Sequence, residues 1–87
     1  MKSYLVEFIG TFFFIFVILY TKNALAIGAA LAIVIMIGNG DYNPALTVVN
    51  MVKGKFPFYE TVPIILAQVA GGLAAFALLK KAGKNRG

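Results

Sequence analysis

The stretch Gly38-Asn39-Gly40-Asp41-Tyr42-Asn43-Pro44-Ala45-Leu46-Thr47-Val48-Val49-Asn50-Met51-Val52-Lys53-Gly54 decides how the rest of the chain is read. From Ala45 to Val52 it is too apolar for a loop in water. From Pro44 to Lys53 it offers a helix of about 15 Å, half the thickness of a bilayer core of about 30 Å. An extended entry followed by a half-helix that returns to the same side, over residues 44–53, fits this length. Asn43-Pro44 is a helix start, because Asn is among the best N-caps and Pro suits the first helical position. If the Asn43 carbonyl oxygen accepts from a first-turn N–H, its –NH₂ group stays free to point into a cavity. Non-helical backbone at membrane depth is tolerated where it lines water or is buried in protein. The carbonyls of Asn39, Gly40, Asp41 and Tyr42 are therefore expected to offer acceptors along a polar path. The competing arrangement is a capped surface helix after an ordinary loop, which would leave Leu46, Val48, Val49 and Val52 without a place to hide.

Three apolar runs surround this segment. The first, residues 4–20, covers roughly 25 Å as a helix and is read as a retained span. A cleaved signal peptide is the alternative, disfavoured by the length of the run and by Thr21-Lys22-Asn23 where small residues would be needed. The second, residues 24–37, is short enough for a re-entrant segment. The polar turn before it and the break Gly38-Asn39-Gly40 after it favour a short second span. The third, residues 58–79, is the longest. Pro57 suits a first turn, Glu60 complements the positive helix end, and Pro63 is expected to kink the start. Residues 80–87 form a polar tail suited to anionic lipid.

Composition points the same way. The chain has 87 residues, 61% hydrophobic and only 13% charged, more apolar surface than a soluble fold of this size could hide. There is no Cys and no His. Disulfide and thiolate or imidazole metal frameworks are excluded, and the usual nucleophiles and bases are missing. No enzyme activity, catalytic residue, metal or cofactor is expected. The net charge of +5 does not form a stripe that could track phosphates, so nucleic acid is not an expected partner. Its cations stand at the ends of apolar runs, where they meet headgroups.

Asn43-Pro44-Ala45 resembles the signature of the aquaporin and major intrinsic protein family, and three further features follow in the family's order. Glu7-Phe8-Ile9-Gly10-Thr11 is similar to its first-helix E-F-x-G-T. Phe56-Pro57 resembles part of its R-F-P, and Ala67-Gln68-Val69-Ala70-Gly71 its A-Q-x-x-G. The resemblance covers nearly the whole chain as one 1–87 unit and implies the N-terminal half of an aquaporin fold. That means an all-α, multi-pass membrane protein with three transmembrane helices and one re-entrant half-helix. It also implies a passive channel for water or small uncharged solutes such as glycerol, in which Asn43 is the midplane donor, Pro44 starts the half-helix and Ala45 packs against its symmetry partner. Two helix N-termini aimed at one point would repel cations and orient water.

Family members carry two such halves in inverted orientation, whereas one half is present here. With three spans the two ends lie on opposite faces, so an inverted second copy would complete the pore. Lys2, Lys53 and Lys55 lie on one side, and Lys22, Lys80, Lys81, Lys84 and Arg86 on the other. This small asymmetry permits insertion both ways. An antiparallel pair of this chain, and by analogy a tetramer of pairs, is the expected assembly. Small residues such as Gly10, Gly28, Gly71 and Gly72 would allow close helix packing.

Several polar residues have two readings. Glu7, an ionisable group inside the first span, either orders the half-helix by accepting from loop backbone or serves as a proton or cation site, as in small dual-topology exporters. Gln68 is expected to satisfy buried backbone. Asp41 stands where the family's first halves usually have His. It is read either as a turn residue paired with Lys53 or Lys55, or as a carboxylate attracting cations at the mouth. Leu46-Thr47 follows the motif, so no Arg is supplied for a selectivity filter, and the choice between water and glycerol is not carried over. A non-conducting assembly protein and a proton-coupled exporter centred on Glu7 remain the rival functions.

Overall fold

The computed structural model describes residues 3–83. They form four helices and, among the described residues, no strand: α1 (Tyr4–Thr21), α2 (Ala24–Gly38), α3 (Pro44–Val52) and α4 (Phe58–Lys81). Each boundary has a local cause. Ser3 Oγ accepts from the Val6 N–H at 3.2 Å and Asn23 Oδ1 from the Ala26 N–H at 2.9 Å, capping the starts of α1 and α2. Lys22 and Asn39 close the same helices in the left-handed conformation, their N–H groups returning to Ile18 and Ile35. Gly54, at φ 88°, turns the chain after α3. Pro63 lies inside α4, which nevertheless runs unbroken to Lys81. Lys80 and Lys81, expected in the tail, instead form the last turn, where they complement the helix dipole. Residues 84–87 of the expected tail lie outside the described residues.

Contacts between named residues fix the helix directions. Glu7 meets Gln68, Phe8 and Phe12 border Gly71, and Ile15 borders Gly72, so α1 and α4 run parallel. Gly38 at the end of α2 lies against Val6 near the start of α1, so α2 runs antiparallel to both. The approach of α1 to α4 is close: a Cβ on Gly71 would collide with the Phe8 carbonyl oxygen and sit 3.1 Å from the Phe12 nitrogen. α3 packs on α4 alone among the helices.

The pattern of burial is inverted relative to a soluble protein. Glu7, Thr11, Asp41, Thr47, Asn50, Thr61 and Gln68 are buried, while Leu25 and Met36 are each 83% exposed and much of the outer surface is Leu, Ile, Val and Phe. Polar groups inside and apolar groups outside is the arrangement that a hydrocarbon solvent selects. α1 and α4 are long and apolar enough to cross a membrane, and α2 is a shorter apolar helix.

Candidate functional site

The site is built where α3 begins. Asn43 is extended (φ −153°, ψ 116°), and its Oδ1 accepts from the Ala45 N–H at 2.8 Å. With Pro44 next, the first turn of α3 needs no other cap. The oxygen is thereby committed, and the amide –NH₂ of an exposed residue remains as donor. Pro44, Ala45 and Leu46 are exposed beside it.

Behind this tip lies a buried polar network. Both oxygens of Glu7, which is 0% exposed, are occupied: Oε2 accepts from the Asp41 N–H and Oε1 from the Tyr42 N–H, each at 2.9 Å. Gln68 Nε2 donates to Glu7 Oε1 at 3.1 Å and to Thr47 Oγ1 at 2.8 Å. Thr47 in turn donates to Asp41 Oδ2 at 3.0 Å, and Asn50 Nδ2 donates to Asp41 Oδ1 at 3.1 Å. One continuous chain of hydrogen bonds thus joins α1, the 39–43 segment, α3 and α4. Because Thr47 receives from Gln68, its own proton is directed to Asp41, and the polarity of the chain is fixed. Carboxylates that accept several N–H or O–H groups are held in place as acceptors.

Asp41 belongs to this network: it is 7% exposed, and its oxygens receive Thr47 and Asn50. The physical reason lies in α3, whose only two buried residues are Thr47 and Asn50, one turn apart and facing the network. These two partners were missed from the sequence, although a polar pair three apart in an otherwise apolar nine-residue helix is the signal that could have found them. Asn39 is exposed and Gly40 half-buried, while the Tyr42 side chain is buried. An open pocket of about 480 Å³ lies beside the segment, with Ser3, Glu7, Asn39, Gly40, Lys55 and Glu60 among its lining. Two buried polar atoms, Thr11 Oγ1 and Gln68 Oε1, have no hydrogen-bond partner among the described residues.

The site is thus a short helix capped by Asn-Pro, packed on α4 and tied by a buried polar network to apolar helices. Comparison with known proteins is specific. The family model described as Major intrinsic protein matches residues 20–86. The chain is 31% identical over 93 residues to the glycerol uptake facilitator protein-like 6 of Lactiplantibacillus plantarum, covering 92% of this chain and 43% of that protein. It is 42% identical over 43 residues to aquaporin Z of Photorhabdus laumondii, covering 49% of this chain and 19% of that protein. No solved structure gives a significant match. The chain belongs to the major intrinsic protein family, whose members are channels and not enzymes, and it is an integral membrane protein. It spans less than half the length of these relatives.

Proposed function

We propose that the chain forms one half of a passive transmembrane channel for water or small uncharged solutes, completed by a second copy inserted in the opposite direction. In this reading α1, α2 and α4 cross the membrane, and α3 enters from one side and returns to it. The observation that carries the reading is the cap of α3. Asn43 spends its oxygen on the Ala45 N–H, keeps its amide donor, and stands at the exposed tip of a helix too short to cross. Depth supports it too, because Thr47, one turn into α3, bonds Gln68 near the middle of α4.

The uncovered side of α3, with Val49 and Val52 exposed, is where the second half would pack. Two facing helix N-termini would then disfavour cations and present Asn43 donors to a file of neutral solute. Both Glu7 oxygens are already bonded to loop N–H groups, which speaks against an exporter centred on that carboxylate.

Osmotic shrinkage of proteoliposomes tests the reading. The protein should exceed empty vesicles, and Asn43→Asp, which keeps an oxygen for the cap but loses the –NH₂ donor, should return permeability toward the background. Wild-type vesicles no faster than empty ones would instead favour a non-conducting assembly role. Cysteines placed at Ser3 and Asn85 should label from both faces, and labelling from one face only would exclude the antiparallel pair.

A further inference from the structure

We infer that Tyr42 is the positioning residue for Asn43, acting through a notch cut into α1, α2 and the connecting segment by the absence of three side chains. Tyr42 has φ 58°, and unlike Lys22 and Asn39 it closes no helix. A bulky residue persists in the left-handed region only where its surroundings over-determine it. Here two hydrogen bonds and three glycine contacts do so. Its N–H is held by Glu7 Oε1, and its hydroxyl donates to the Val34 carbonyl at 2.7 Å. Its ring fills the place where a Cβ on Gly10 would stand, and a Cβ on Gly40 would lie 2.9 Å from the ring. A Cβ on Gly38 would collide with the hydroxyl. Tyr42 is 3% exposed.

The consequence concerns the next residue. α3 packs on α4 but on neither α1 nor α2. Its register against those two helices is set through α4, where Gln68 bonds both Thr47 and Glu7, and by the segment that precedes it. Tyr42 is one peptide bond from Asn43, about 3.8 Å between Cα atoms. The ring fixes the point from which the capped donor projects. This inference rests on the channel reading only for what the donor does, not for how it is placed.

A double-mutant cycle tests it, read by two independent signals in the full chain. In detergent micelles, the Asn43 side-chain amide resonance and the exchange rate of the Ala45 N–H report the cap. In vesicles, osmotic shrinkage reports conduction. Tyr42→Gly, which accepts the same φ, should shift or broaden the Asn43 amide signal and speed Ala45 exchange at least ten-fold, with the Ala75 N–H unchanged. Gly10→Ala should reproduce this in the wild-type background and add nothing in the Tyr42→Gly background. Tyr42→Phe, which keeps the ring seated, should leave the Asn43 signal near its wild-type position and guards against loss of fold in the glycine variant.

Equal disruption by Gly10→Ala with and without the Tyr42 ring would overturn the inference. So would Asn43 and Ala45 signals untouched in Tyr42→Gly, or displaced as far in Tyr42→Phe as in Tyr42→Gly. Wild-type vesicles without permeability would sink the channel reading while the resonance data still decided on Tyr42. Permeable vesicles in which Tyr42→Gly changes neither signal would sink Tyr42 alone.

Discussion

Gln68 Nε2 and Glu7 Oε1, 61 residues apart in sequence, are joined by a 3.1 Å hydrogen bond that pins the middle of α4 to the first turn of α1. Glu7 receives two loop N–H groups besides this amide. Glu7→Gln keeps the shape but substitutes a donor for one acceptor, so at least one buried N–H loses its partner. The expected cost is about 2 kcal/mol or more, the penalty for an unmade buried hydrogen bond. Denaturation in mixed micelles followed by circular dichroism measures it, with faster amide exchange at Asp41 and Tyr42 as the local signature. An unchanged transition would contradict the anchoring role.

Asp41 sits at the other end of the same chain, receiving Thr47 and Asn50. Asp41→Asn retains a single acceptor oxygen, and its new amide group faces one of those donors. A loss of about 1–3 kcal/mol follows. Thr47→Val should be partly non-additive with it, because the two residues belong to one network. Strict additivity in the micelle denaturation assay would mean that the chain is not cooperative.

Gly71 and Gly28 make a contrasting pair. A methyl on Gly71 meets the backbone of α1 at Phe8, whereas one on Gly28 finds nothing within 4 Å. Gly71→Ala should destabilise by about 2 kcal/mol through overpacking. Gly28→Ala should be neutral, or stabilise by up to about 1 kcal/mol through helix propensity. If the Gly28 variant leaves the chain stable but weakens its self-association, that exposed face is a contact between copies.

Thr11 Oγ1 is buried without a partner among the described residues. Thr11→Val, similar in shape and free of the hydroxyl, should therefore leave stability within about 1 kcal/mol of wild type or raise it. A marked loss in the same denaturation assay would reveal a partner for that hydroxyl.

Much of the helical framework was legible because its signals are local. Thr21-Lys22-Asn23, Gly38-Asn39-Gly40 and Gly54 interrupt apolar runs, and the four helices coincide with those runs to within two residues at each end. Asn43-Pro44 as a helix start likewise depends on adjacent atoms alone. What could not be read was which way side chains turn within residues 39–43. Asp41 turns towards Thr47 and Asn50, and the Tyr42 ring turns into the glycine notch, through contacts between residues distant in sequence. Gly10, Gly38 and Gly40 carried part of that message, since a gap implies something to fill it. Sequence periodicity does not say which ring does so.

The grip of Glu7 on the segment before α3 has one more consequence, for how such a protein can vary. Its carboxylate holds positions 41 and 42 through main-chain N–H groups, which every amino acid except proline supplies. That handhold is indifferent to the side chains it carries. A change of side chain at position 41 would therefore break the bonds to Thr47 and Asn50 without releasing the segment from the first helix. Substitutions at 41 and 42 are then felt through side-chain contacts, while the main-chain handhold beneath them persists.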